Sequence, residues 1–199
     1  MTPSLEFWFD FASTYSFLSA MRIDALATAA GVALEYKPFI LGPIFGAQGW
    51  QTSPFNIYEA KGRYMWRDME RVTQAAGLSF RRPSVFPRNS LLAARVALVC
   101  ERESWSDAFV RAVYEANFVN DRDISDRAVV GEILTGLGAD SEAVLDLAGT
   151  SATKERLRGR TNDAVNLGIF GAPSFVARGE LFWGNDRLED ALRWATRLH

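Results

Sequence analysis

Two serines at one corner are the residues of this 199-residue chain best placed to do chemistry. Ser13 and Ser16 follow the aromatic run Leu5-Glu6-Phe7-Trp8-Phe9-Asp10, which reads as a buried strand, and they open a helical pattern. In thiol redox proteins a strand-to-helix corner of this kind carries Cys-x-x-Cys, because a helix start favours a thiolate over a thiol. Here the corner reads Ser13-Thr14-Tyr15-Ser16, so dithiol chemistry is excluded at this place. A hydroxyl there can still donate a hydrogen bond to a thiolate brought in from solution. The competing reading of Ser13 is an N-cap for the helix that follows, and one hydroxyl can serve both purposes.

The scarcity of other reactive groups narrows the chemistry further. His199 is the only histidine and the last residue, and Cys100 is the only cysteine. A Ser-His-Asp or Cys-His arrangement and a usual zinc site are therefore not expected. Cys100 falls on a helical stripe with Ala93, Val96 and Ala97, which reads as core packing. The working sulfur would come from a small thiol, with glutathione as the candidate. One cysteine rules out an intramolecular disulfide and fits a reducing compartment, so a cytoplasmic location is expected. The net charge is -2 with mixed signs and no basic patch, which argues against nucleic acid as a partner. No run approaches the ~18 apolar residues of a membrane span, and no basic stretch precedes an apolar one as in a signal peptide.

The elements that must position the corner read as follows. Residues 5–10 form a strand and residues 14–30 a helix, with Leu18, Met21, Ala25 and Ala29 on one face and Gly31 as the stop. Residues 32–37 alternate as a second strand, and a right-handed crossover makes the two strands parallel. Residues 42–56 are rich in Gly, Pro, Gln and Ser and read as a functional loop. From about residue 57 to 167 only helical periodicity appears, with Asp140 and Ser151 as expected N-caps. Residues 171–184 read as a turn entering a hairpin, and residues 186–198 as a closing helix. The expected fold class is α/β, in the order βαβ, helical block, ββα.

Four segments carry a resemblance. Residues 9–18, Lys61-Gly62-Arg63-Tyr64, Gly171-Ala172-Pro173-Ser174 and residues 183–188 (Trp183-Gly184-Asn185-Asp186-Arg187-Leu188) look like those of 2-hydroxychromene-2-carboxylate isomerases. These belong to a DsbA-like group that includes the kappa-class glutathione transferases. The resemblance runs over essentially the whole chain in the same order. It implies a thioredoxin-like domain of residues 1–45 and 168–199, interrupted by an inserted helical domain of residues 46–167.

It also implies the site. The family's catalytic serine falls on Ser13, as a donor to the thiolate of glutathione. Ala172-Pro173 matches the family's cis-proline turn, where extended backbone pairs with the cysteinyl part of glutathione; an ordinary turn opening a strand is the other reading. Asn185 and Asp186 would face the γ-glutamyl end, with the Asp186 carboxylate on the ammonium, unless Asp186 simply caps the last helix. Lys61 would hold a carboxylate at the mouth of the site. The family's asparagine, which would contact glutathione, falls near Gln51 or Thr52, and this chain has the longer amide of Gln51 there. Thr14 replaces a frequent proline. Phe11, Tyr15 and Trp50 are candidate walls of an aryl pocket.

The implied activity is a glutathione-dependent interconversion of 2-hydroxychromene-2-carboxylate and trans-o-hydroxybenzylidenepyruvate, in naphthalene-type aromatic degradation. The expected partners are glutathione and a small aromatic carboxylate, with a homodimer left open. A kappa-type glutathione transferase or peroxidase is the nearest alternative. A DsbA-like binding module without catalysis is the alternative from another class.

Overall fold

The computed structural model describes residues 2–197, so His199 and the last residue of the expected closing helix lie outside the described residues. Its order begins with β1 (Ser4–Phe9), α1 (Thr14–Ala20), α2 (Ile23–Ala30) and β2 (Ala33–Pro38). It continues with α3 (Leu41–Ala47), α4 (Pro54–Ile57), α5 (Glu59–Ala75), α6 (Leu91–Val99), α7 (Ser106–Phe118), α8 (Arg127–Gly136), α9 (Ser141–Gly149) and α10 (Ser151–Asn166). The chain then returns through β3 (Ser174–Ala177), β4 (Glu180–Trp183), a 3-10 turn at Asn185–Arg187 and α11 (Leu188–Ala195).

The sheet has the order β2-β1-β3-β4. β1 and β2 are parallel, as the crossover rule requires, with Phe7 opposite Tyr36. β1 and β3 are antiparallel, and β3 and β4 form the hairpin read from the sequence. Alternation along β1 sends Leu5, Phe7 and Phe9 to one face, all fully buried, where Phe7 stacks on Phe9 and Phe175. The opposite face carries Trp8 into a second cluster with Phe39, Ile44, Ala164 and Ile169. Both faces of the short sheet are thus covered by helices, which anchors the end of β1 from two sides.

Three expectations need correction. The helix expected over 14–30 is two helices, because the chain breaks at Met21 and Arg22, where Arg22 has φ -133° and ψ -14°. Gly31 does stop the second one, in the left-handed conformation at φ 66°. The loop expected over 42–56 contains α3 and α4. Burial of Ile44 holds α3 in place despite its glycines, and Pro54 is preorganised at the start of α4 under the Ser53 cap. The third correction is at α10, which is capped by Thr150, whose side chain accepts from Thr153 N–H, so Ser151 is its first residue and not its cap. Asp140 caps α9 as expected.

Within the helical block the periodicity of the sequence marks stripes Met65-Met69-Val72-Ala76, Phe109-Ala112-Val113-Ala116 and Val130-Ile133-Leu134-Leu137, of which Ala76, past the end of α5, is exposed. Met65 and Met69 of α5, Phe109 and Val113 of α7, and Val130 and Leu134 of α8 are fully buried.

Candidate active site

Ser13 sits between β1 and α1 as the N-cap of α1, with extended backbone at φ -85° and ψ 120°. Its Oγ accepts from the Ser16 N–H at 3.2 Å, satisfying one of the free donors of the first turn. The same hydroxyl donates its proton to the Ala172 carbonyl at 2.9 Å. The two readings of Ser13 therefore meet in one atom that caps a helix and bridges to the turn before β3. Ser16 itself is fully buried. Because α1 is only seven residues long, the corner relies on this hydroxyl and on first-turn N–H groups more than on the field of a long helix.

The Ala172-Pro173 peptide bond is cis. The ladder between β1 and β3 ends at Trp8 and Ser174, so Ala172 lies in the bend before the first paired residue. Ser174 Oγ donates to the Gly171 carbonyl at 2.9 Å. Trp183 packs so closely over Gly171 that a Cβ there would overlap the indole ring. Gly184 N–H donates to the Pro173 carbonyl at 3.0 Å, which draws the next turn alongside. Gly184 has φ 107°, a conformation open to glycine, and a Cβ at this position would lie 2.6 Å from Asp186 Oδ1.

That turn places Asn185 and Asp186. Asn185 Oδ1 accepts from Ser19 Oγ of α1 at 3.0 Å. The Asp186 side chain is largely exposed, at 73%, and pairs with Arg187 at 3.2 Å. The capping alternative for Asp186 finds no support, since neither the 3-10 turn nor α11 has a side-chain cap.

Gln51 and Lys61 stand apart from this set. Gln51 is exposed between α3 and α4, and Lys61 is exposed on α5 with its Nζ 5.9 Å from the Tyr58 ring centre. Neither side chain reaches the corner. Lys61 is tied to it indirectly, because Met65, one turn beyond Lys61 on α5, accepts from Thr14 Oγ1 at 3.3 Å. Tyr15 donates to Asp68 of α5 at 3.0 Å, and burial beside that carboxylate pushes its phenol up. Gly62 is buried against the Phe55 carbonyl of α4 with no room for a Cβ, which sets the spacing of α4 and α5.

The aryl-wall candidates divide. Phe11 is fully buried against Phe9 and Tyr114 and is core, not wall. Trp50 packs on Phe45, and Tyr15, half-buried beside Phe55, remains next to the corner. Cys100 is 1% exposed, and burial pushes its thiol up to about 12, so it is held as an inert thiol.

Sequence reasoning missed Asp10, which is 3% exposed. Its carboxylate accepts from Ala12 N–H at 2.9 Å, Leu41 N–H at 2.8 Å and Ser90 Oγ at 2.6 Å. Burial pushes the carboxyl up, and these donors pull it back. Helix α7 adds Tyr114 Oη to the Asp10 carbonyl and Asn117 Nδ2 to the Phe11 carbonyl, both at 3.0 Å. The only signal in the sequence was a carboxylate three residues before Ser13. Two of its three partners, Leu41 and Ser90, are 31 and 80 residues away.

The Ala172 carbonyl, the Ser13 hydroxyl bonded to it and the exposed Asp186 carboxylate after the Gly184 turn make up the candidate set. Among the described residues no group of three His, Cys, Asp or Glu side chains is arranged for a metal, and no helix is long and apolar enough to cross a membrane.

Comparison with known proteins agrees with this architecture. Residues 4–193 match the DSBA-like thioredoxin domain family. A 2-hydroxychromene-2-carboxylate isomerase of Sphingobium xenophagum is 28% identical over 189 residues, covering 95% of this chain and 96% of that protein. A solved structure of a 2-hydroxychromene-2-carboxylate isomerase superposes with a TM-score of 0.84 at 26% identity, covering 93% of this chain and 90% of the other. Glutathione S-transferase kappa 2 of Caenorhabditis elegans is 23% identical over 198 residues, covering 92% and 88%.

Proposed function

This chain belongs to the DsbA-like thioredoxin family, and we propose that within it the protein is a glutathione-dependent isomerase of 2-hydroxychromene-2-carboxylate type, with a thioredoxin-like domain of residues 1–45 and 168–199 split by residues 46–167. The observation that carries the reading is the Ser13 hydroxyl bonded to the Ala172 carbonyl at 2.9 Å, where a dithiol family would hold a cysteine. A residue without redox chemistry stands at the family's reactive place, facing backbone suited to a thiol peptide. The likeness to named isomerases over nearly the whole chain supports the choice of reaction.

Bound at the corner, glutathione supplies a thiolate that adds reversibly to the conjugated alkene of the open keto-acid substrate, so that the former double bond can rotate before elimination restores it. The chain's own residues make that possible. Ser13 turns its proton from the Ala172 carbonyl toward the sulfur, since a charged acceptor outcompetes a neutral carbonyl. Ala172 keeps the peptide extended, and its carbonyl, released by Ser13, accepts a peptide N–H in strand fashion. Asp186 holds the ammonium end, aligned by Asn185. Lys61 and Gln51, across the mouth, meet carboxylate and polar groups of the peptide or of the aromatic acid.

The deciding experiment is turnover of the chromene acid by purified protein with and without glutathione. Turnover that requires glutathione is expected. Full turnover without it, or none with it, contradicts the reading. The similarity to a kappa-class transferase keeps a second activity in view, conjugation of the same thiolate to another electrophile, which assays with aryl halides and peroxides separate from isomerisation. A non-catalytic module would show no dependence on glutathione and no retention on immobilised glutathione.

A further inference from the structure

The break between α1 and α2 places one cation where two parts of the candidate site meet. Arg22, at that break, sends its guanidinium across to the turn after β4. Its NH2 group donates to the Asn185 carbonyl at 2.8 Å and its Nε to Asn185 Oδ1 at 3.3 Å. The same head pairs with Glu189 of α11, at 2.5 Å from NH1 and 3.2 Å from NH2. Ser19, one turn earlier on α1, donates to the same Asn185 Oδ1. Asn185 is thus held at its main chain and its side chain by residues of α1 and its end. α1 is the helix that Ser13 caps, and Asn185 immediately precedes Asp186.

We infer that Arg22 is a positioning residue for the amine-bearing end of the thiol peptide, fixing the Asn185-Asp186 turn against the helix that carries Ser13. This rests on the glutathione reading above and assigns to it a residue that touches neither peptide nor substrate. Two features separate this role from plain stabilisation. The guanidinium is planar and divided among three acceptors, a pattern that a lysine ammonium cannot reproduce. It also neutralises the Glu189 carboxylate beside the turn, while the largely exposed Asp186 is paired with Arg187 at the surface, where a peptide ammonium would have to share or take over that carboxylate.

The test is calorimetric titration of glutathione into the full chain, with steady-state kinetics at saturating glutathione beside it. Arg22→Ala should weaken glutathione binding about tenfold, the loss typical of a charged hydrogen-bond set, while turnover at saturation changes less than the affinity does. Added guanidinium should restore affinity to Arg22→Ala. Arg22→Lys keeps the stem and the charge and should remain weak, and it carries the test if Arg22→Ala does not fold. Arg111→Ala is the control, since Arg111 pairs with Asp24 of α2 and Asp107 of α7 but not with the 185–187 turn. It should lower the melting temperature and leave glutathione affinity unchanged. Wild-type affinity in a folded Arg22→Ala or Arg22→Lys overturns the inference while the glutathione reading stands. So does an equal loss in Arg111→Ala. No binding by the wild type overturns both.

Discussion

On the sheet side of the corner the candidate groups are held by bonds within the fold, whereas on the side of residues 50–61 the polar candidates Gln51 and Lys61 stand in solvent. Ser13 is bonded to Ser16 and Ala172, Asn185 to Ser19 and Arg22, and the corner carbonyls of Asp10 and Phe11 to Tyr114 and Asn117 of α7. Asp186 is largely exposed and pairs at the surface with its neighbour Arg187. Lys61 and Gln51 are exposed, and the packing of α5 on Thr14 and Tyr15 relates the helix that carries Lys61 to the corner. Transition-state stabilisation needs donors fixed in advance, while tolerance of a bulky aromatic acid suits a wall that can adjust. On the proposed function, thiol activation would belong to the sheet side and substrate choice to the helical side.

The largest effect that would break this division is at Ser13. Ser13→Ala should lower turnover ~100-fold or more, the loss typical of one preorganised donor, in a protein that still binds glutathione. Near wild-type turnover in the glutathione-saturated variant would leave Ser13 as a helix cap alone. Next is Asp186→Asn, which removes the charge facing the ammonium. Its half-saturation for glutathione should rise about tenfold, with a smaller change in maximal rate, and an unchanged half-saturation removes Asp186 from the site.

On the opposite wall the expected effect is structural first. Gly62→Ala forces a methyl group onto the Phe55 carbonyl, so α4 and α5 must separate at a cost of about 1–3 kcal/mol. Denaturant unfolding measures that cost. Substrate half-saturation should change more than that for glutathione, and the reverse order would place the wall's role with the peptide.

A smaller effect concerns how the fixed side is held. Arg88 bonds both Asn117 Oδ1 at 3.1 Å and Asp121, and Asn117 in turn holds the Phe11 carbonyl. The Ser84 N–H and the Arg88 guanidinium pull the Asp121 carboxyl down to about 2. A carboxyl lowered in the folded state contributes stability above its ordinary range near ~3.9 and loses it as pH falls toward its folded value. Melting temperature should therefore drop between about pH 4 and 2, and Asp121→Asn should be less stable at neutral pH with a shallower acid decline. Parallel declines in both proteins would remove Asp121 from that role. Smallest of all, Cys100→Ser should keep its activity when glutathione is supplied, because Cys100 is buried in the helical block. An inactive but folded variant would shift the chemistry to the protein's own sulfur.

The parts of this arrangement legible in the sequence were those set by local pattern. Alternation in β1 and β2, the glycine stop at Gly31, the hairpin and the inward stripes of α5, α7 and α8 all depend on neighbours within a few residues. What escaped depends on distant partners. The helical stripe of residues 14–30 runs without interruption through Met21, and only Arg22 reaching to Asn185 and Glu189 marks the break. Residues 42–56 look like loop by composition, yet burial of Ile44 and the Ser53 cap form short helices there. Asp10 joined the corner only once Leu41 and Ser90 were brought to it. Ser13 could be found by its place after a strand, but its bond to Ala172, 159 residues away, could not.

The most direct measurement is the acidity of the glutathione thiol when bound, followed by thiolate absorbance as pH is raised, in wild type and in Ser13→Ala. A free thiol of this kind ionises near ~8.5. In the wild type the bound thiol should ionise at clearly lower pH, and in Ser13→Ala it should return toward the free value with glutathione still bound. A bound thiol as weakly acidic in the wild type as in solution, or equally acidified in both proteins, would contradict thiolate stabilisation by Ser13.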